Sequence, residues 1–330
     1  MNILQKTHQI RNFALQLGFD ACGFAKAERL DEEAERLEQW LNEDRHATMD
    51  WMANNFEKRV DPTLLVPGSK TVISLLASYY HPSHQEQIGI TSKPLIAKYA
   101  QGRDYHKVLK KKLKELFVFT NELCSGIQGR FFVDSAPILD KAWAVKAGLG
   151  WVGKNSNVLN KKLGSYFFIA ELIIDQELVY DSPTTDHCGT CTACIEACPT
   201  DAIYEPYKVD GTKCISYLTI EHKGDIDEEY HSDIENWIFG CDICQDVCPW
   251  NSKARLTQLL DFYPREKVIN KNLKEWLLTS ESDFDEVFLG SAVKRTKYSG
   301  FKRNLDIVKA NLIESHSEAT AEESKLIENQ

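Results

Sequence analysis

The segment "CGTCTACIEACPTDAI" (residues 188–203) places cysteines at 188, 191, 194 and 198, with Pro199 directly after the last. Further on, "GCDICQDVCPWN" (240–251) repeats the idea with Cys241, Cys244 and Cys248, again followed by proline. Of ten cysteines in the chain, eight fall between 188 and 248, the eighth being Cys214 in "GTKCISYL"; Cys22 and Cys124 stand alone. No export signal marks the sequence, and thiols in the cytoplasm stay reduced. Disulfides are therefore not expected, and such density demands a metal or a redox group. The two isolated cysteines read as small buried apolar residues.

The spacing C-x2-C-x2-C-x3-C-P is the bacterial ferredoxin pattern, in which the fourth cysteine ligates the other [4Fe–4S] cluster. One tight loop presents three thiolates to one cube, and the next turn carries the fourth away. Cys188, Cys191 and Cys194 are then completed by Cys248. Cys241 and Cys244 are joined by Cys198, and Cys214 is the remaining thiol that fills the set. Zinc also favours C-x2-C pairs, but gives no reason for the full spacing with its trailing proline. Residues 181–252 are thus expected to form a ferredoxin-like module holding two [4Fe–4S] clusters as an electron relay.

Around this module the chain reads as soluble α+β protein. Its 330 residues are 43% hydrophobic and 27% charged, with a formal net charge of −10. That balance argues against a non-specific coat on nucleic acid. No run approaches the ~20 apolar residues that span a bilayer, and the expected compartment is the cytoplasm. "MNILQKTHQIRNFALQLGF" predicts an amphipathic helix with Ile3, Ile10, Phe13, Ala14 and Leu17 on one face. Strands are expected at 71–80, 129–134 and 165–175, and helices at 104–123 and 138–150. Lysines 107, 110, 111, 112 and 114 of the first of these helices read as a solvated face. Residues 1–180 are read as an α/β catalytic domain, 253–315 as a short C-terminal helical segment and 316–330 as a polar, disordered tail.

Clusters move single electrons, so other residues must hold the chemistry. No G-x-G-x-x-G follows a strand, no P-loop is present, and no isolated C-x3-C-x2-C marks a radical enzyme. Together, "EKRVDPTLLVPGSKTVI" (57–73), "YAQGRDYHKVL" (99–109), "VDSAPILDKAWAVKAGLGWVGKNS" (133–156), "GSYFFIAELI" (164–173), "KCISYLTIEHKG" (213–224) and the two cysteine runs resemble the epoxyqueuosine reductase family over about residues 5–305.

The resemblance implies a cobalamin held between an α/β reductase domain and the ferredoxin-like module. The substrate it implies is the anticodon arm of a tRNA carrying epoxyqueuosine, and the electron source an external one-electron donor such as a flavodoxin or ferredoxin. A monomer without membrane attachment is expected. Asp134 takes the position of a proton donor, with desolvation against the corrin face expected to keep it protonated; the bland alternative is a turn-forming aspartate. Arg59, Ala97, Lys154, Asn155, Ser216, Cys241 and Asp242 are the other positions implied to line the cobalamin. "KRTKYSGFKRN" (294–304) is either an RNA contact or a basic cap on the last helix. Two other readings compete: an electron-transfer protein without a corrinoid, and a corrinoid reductive dehalogenase of small molecules.

Overall fold

All eight residues of Thr71–Ser78 are buried, which a strand achieves only when layers cover both faces of its sheet. The computed structural model describes residues 1–83 and 93–328. In chain order its strands are β1 (Ala21–Lys26), β2 (Thr71–Ser78), β3 (Leu95–Ile96), β4 (Gly129–Phe132), β5 (Trp151–Val152), β6 (Val158–Leu159), β7 (Phe167–Ile174) and β8 (Trp237–Phe239). β1, β2, β7 and β4 form one sheet in that order, with every pairing antiparallel. The chain is α+β, as expected; within residues 1–180, read as an α/β domain, the central sheet is antiparallel because the connections double back.

The two faces of the sheet follow the period of two along its strands. Phe24, Ile73, Leu75 and Leu172 meet Ile10 and Ala14 of the helix Ile3–Gln16 and Leu109, Leu113 and Leu116 of the helix Tyr105–Cys124. The intervening residues Ala25, Val72, Leu76 and Ile173 meet Trp143 and Ala144 of the helix Asp140–Lys146. The first helix starts at a capping box, Asn2 accepting from the Gln5 N–H at 2.8 Å. Its first turn drifts off the core, leaving Ile3 40% exposed. Cys22 and Cys124 are buried in the first of these cores.

A second core joins segments distant in sequence. Ile96, Ala97 and Ala100 pack with Ile215, Leu218 and Phe239 of the cysteine-rich region, and with Trp276, Phe284, Phe288, Phe301, Leu305 and Val308. β3 pairs in parallel with β8, so the chain around 95–100 leaves the sheet domain to join the second unit. Packing therefore runs continuously through residue 252, where a domain edge was expected. The helix Lys297–Glu328 continues through most of the segment read as a disordered tail. Its alanines and glutamates are good helix formers. Residues 329–330 lie outside the described residues.

At Gly23 the sheet and the helix Asp140–Lys146 touch backbone to backbone: a Cβ there would lie 2.1 Å from the Ala147 carbonyl oxygen. A backbone oxygen cannot swing aside as a side chain can. Gly23→Ala should therefore destabilise by at least the ~1–3 kcal/mol typical of overpacking, seen as a lower midpoint in urea; an unchanged midpoint would show that the helix is free to shift.

Candidate active site

The two cysteine runs fold as matching loops, each followed by one helical turn, Ala193–Glu196 and Ile243–Asp246, which pack on each other. Cys194 has the thiols of Cys248, Cys188 and Cys191 as neighbours. Cys241 has Cys244 and Cys214, and Cys214 in turn has Cys198. Among the described residues no three or more His, Cys, Asp or Glu side chains converge tightly enough for a single ion. Thiols spread around a four-iron cube need no such convergence.

Each loop is held by a side chain from the turn between β5 and β6. The Lys154 amine donates to the carbonyls of Gly189 and Cys191 at 2.8 and 2.9 Å. The buried Asn155 amide donates to the Cys244 carbonyl at 3.1 Å. Both residues were expected to line the cofactor; here their polar ends grip the cluster loops.

Lys98 makes the deepest joint. It is 4% exposed, with its backbone N–H on Asp242 Oδ2 at 2.7 Å and its ammonium on both Asp246 oxygens at 2.5 and 2.8 Å. The Tyr166 hydroxyl also donates to Asp246. Burial alone would discharge the lysine, but Asp242 and Asp246 outweigh it and hold its amine above the ordinary value. Next to this joint Gly240 adopts φ +70, and a Cβ there would stand 2.6 Å from the Ala97 Cβ. Glycine is what lets the cluster loop close on Ala97.

Asp134 lies two residues beyond β4, on the loop leading to the helix Asp140–Lys146. Its φ is +45, an uncommon conformation for a residue with a side chain. The side chain is 62% exposed, not at the end of a buried strand as the sequence led us to expect. The Tyr105 hydroxyl donates to its Oδ2, and His106 Nε2 is 3.8 Å from the same oxygen. Tyr105 is itself buried, and burial together with Asp134 pushes its hydroxyl well above the ordinary range.

Lys141 shows what Asp134 faces. Its side chain reaches solvent, yet surrounding protein pulls its amine down, and its titratable neighbours are Cys244, Asp134, Cys214 and Asp140. Asp134 and two thiols of the second cysteine set, Cys214 and Cys244, therefore lie around this one solvent-reaching amine, which marks the recess between them. Ser216 lies beside the same cysteine set, its hydroxyl making a long 3.5 Å contact to the Cys241 carbonyl.

Three expected cofactor contacts lie behind that surface. Arg59 is 7%, Ala97 1% and Asp242 1% exposed. Arg59 donates to the Trp51 carbonyl at 2.7 Å and lies in the field of Asp140. Asp242 Oδ1 has no partner.

Sequence reading passed over Tyr105, His106, Lys98, Lys141 and the buried carboxyls Asp140 and Glu171. Tyr105 and His106 lie within the quoted "RDYHKVL", and a glutamate inside the apolar "YFFIAELII" was itself a signal. Of the basic stretch 294–304, Arg303 is structural, donating to the carbonyls of Leu218, His222 and Gly224. Arg295 pairs with Glu221 and lies over the Trp51 ring.

An antiparallel sheet domain fused to two cysteine-rich loops that with Cys214 carry eight thiols, with a carboxyl near the second set, defines an iron–sulfur oxidoreductase. Residues 187–251 match the "4Fe-4S double cluster binding domain" family, and residues 59–135 match "Epoxyqueuosine reductase QueG, DUF1730". The epoxyqueuosine reductase of Leadbetterella byssophila is 56% identical over 301 residues, covering 91% of this chain and 97% of the relative. That of Escherichia coli is 41% identical over 328 residues, covering 98% and 86%. A crystal structure of epoxyqueuosine reductase with an epoxyqueuosine-modified tRNA-Tyr stem loop superposes with a TM-score of 0.87 at 29% identity, covering 94% of this chain and 82% of that one. A Bacillus subtilis structure, described as having its aspartate-bearing catalytic loop swung out of the active site, matches at 0.86 and 28%, covering 94% and 82%. The chain belongs to the epoxyqueuosine reductase family. It is an oxidoreductase with two [4Fe–4S] clusters, and neither the simple electron carrier nor the dehalogenase is favoured. Among the described residues no helix is long and apolar enough to cross a membrane.

Two predictions follow from the joints. Cys214→Ala should halve the bound iron, abolishing the spectrum of the second cluster and leaving that of the first; two intact clusters would disprove the ligand assignment. Lys98→Met strands two carboxylates, and breaking a buried pair in this way costs roughly 3–5 kcal/mol. Thermal unfolding should fall accordingly, and an unchanged midpoint would remove Lys98 from the joint.

Proposed function

We propose that this chain reduces epoxyqueuosine to queuosine at the wobble position of tRNA, with cobalamin in the recess and Asp134 as proton donor. The observation that carries the reading is the position of Asp134: a left-handed backbone and the Tyr105 hydroxyl hold its carboxyl in the recess bordered by Cys214 and Cys244. The related structure whose aspartate-bearing catalytic loop is swung out of the active site supports it.

The residues present fit a corrinoid. A hydroxyl (Ser216), an amine (Lys141) and a carboxyl (Asp134) would suit the uncharged amide side chains that fringe a corrin, while Arg59, Ala97 and Asp242 would brace the wall behind it. Bound cobalamin supplies a low-potential metal centre through which cluster electrons reach the epoxide carbon. The protein's own part is to exclude water, hold the substrate and place the proton. Covering the recess would close Asp134, which stands open in the bare chain, off from water. Tyr105 and His106 fix the carboxyl from behind, so that its proton is directed at the oxygen that leaves.

The substrate's stem loop comes from the related complex. Here Arg295 over Trp51, with Lys294 and Lys297, offers cations and an aromatic face for phosphate and base. The first cluster, whose Cys191 is exposed, is the entry for an external one-electron donor such as a flavodoxin or ferredoxin. The setting is the cytoplasm and the working form a monomer.

Asp134→Asn tests the reading. It should keep both clusters and bind cobalamin, yet slow single turnover of an epoxyqueuosine stem loop by the roughly 10²–10⁴-fold typical of a positioned general acid. A rate within a few-fold of wild type, normalised to bound cobalamin, would leave Asp134 a turn residue.

A further inference from the structure

Glu171 is a glutamate in the middle of the central sheet, on β7, 0% exposed. Across the register it faces Ser74 of β2 and Phe132 of β4. Neither of its carboxylate oxygens finds a nitrogen or hydroxyl donor, and the Ser74 hydroxyl is unpartnered as well. The helix Asp140–Lys146 covers that same face of the sheet, against β2 and β7; its Asp140 Oδ1 is likewise buried without a partner, and the two carboxyls lie within each other's fields. Two carboxyls can bond face to face only with a proton between them. Asp140 opens the helix that ends the Asp134 loop, so three carboxyls run from the core of the sheet to the recess.

The chemistry asks for more than Asp134 can give. Removing an epoxide oxygen as water, with a carbon–carbon double bond left in the ring, consumes two electrons and two protons. The electrons come from the external donor through the clusters. One proton goes to the oxygen as the first C–O bond breaks; the second converts the resulting hydroxyl into water as the other C–O bond breaks. Asp134 accounts for only one.

We propose that Asp140 and Glu171 form a proton-loading site: they share one proton at rest, take up a second when electrons enter the recess, and release it as the oxygen departs as water. The proposal rests on Asp134 as the first donor. Electrons arriving in a poorly hydrated recess make nearby carboxyls harder to ionise, and their departure to the substrate reverses this. Loading and release are thus driven by the same electrons that do the reduction. Burial already pushes both carboxyls up, Glu171 well above the ordinary range. The charged and titratable groups around the pair are Arg59, which favours ionisation of Asp140, and Asp134, which opposes it; Lys141 and Tyr105 lie within the field of Asp140. Lys141 also lies within the fields of Cys214 and Cys244, which links the pair to the second cluster.

The test is a potentiometric titration, from pH 6 to about pH 8, of protein loaded with iron, sulfide and cobalamin, with infrared difference spectra between oxidised and reduced states. In the wild type the cobalamin midpoint should fall as pH rises, with a slope approaching one proton per electron, about 59 mV per tenfold change in proton concentration. Reduction should also raise a protonated-carboxyl band. Glu171→Gln keeps the shape and can donate its amide to Asp140, yet it should flatten the slope and remove the band; Asp140→Asn provides the second variant should the first fold poorly. Asp134→Asn should keep both signals. A pH-independent midpoint in the wild type, signals unchanged in both pair variants, or signals lost in Asp134→Asn would overturn the proposal. The role of Asp134 in turnover is judged separately, by the rate of its Asn variant.

Discussion

One buried ammonium joins the two halves of this molecule. Lys98 leaves the sheet domain on the short segment that pairs with β8 and ends between Asp242 and Asp246, on the turn carrying Cys241 and Cys244. A buried lysine with two carboxylates is costly to assemble and costlier to break. The gain here is geometric. The cluster loop cannot slide relative to the sheet without stranding charge, so the distance from the second cysteine set to the recess is fixed. Gly240 against Ala97, and Asn155 on the Cys244 carbonyl, set the same relation from two further sides.

On that fixed frame the recess combines opposed demands. Electron delivery needs the thiols of the second set close to the reacting centre; proton delivery needs a carboxyl that is accessible before substrate binds and dry afterwards. Asp134 meets the second demand by standing on a loop rather than in a strand, held by Tyr105 and a left-handed backbone. Behind it the sheet carries a buried carboxyl pair, an arrangement that packing alone does not favour, since an unpartnered buried polar group costs free energy. Such a cost is reasonable where the group has work to do.

Much of this was legible in the sequence because its signals are local. The strand at 71–78 declares itself as a β-rich, mostly apolar run, the helix at 105–124 by its stripe of Leu109, Leu113 and Leu116, and the cysteine loops by spacing. The antiparallel order β1-β2-β7-β4 was not, since strand direction depends on connections through long segments. Nor were the joints, because Lys98 meets Asp242 and Asp246 across more than a hundred residues and reads locally as a surface lysine. Lys154 and Asn155 were legible as a polar loop beside glycines, but not as clamps on the cluster loops. The exposure of Asp134 was missed because "GRFFVDSAP" looks like one strand, whereas pairing stops at Phe132.

The most direct measurement is the mass of an epoxyqueuosine-containing tRNA anticodon stem loop after incubation with the cluster- and cobalamin-loaded protein and a one-electron reductant. The account predicts the loss of one oxygen atom from the modified base, dependent on both cobalamin and the clusters. An unchanged mass with fully loaded protein, or the same loss without cobalamin, would contradict it.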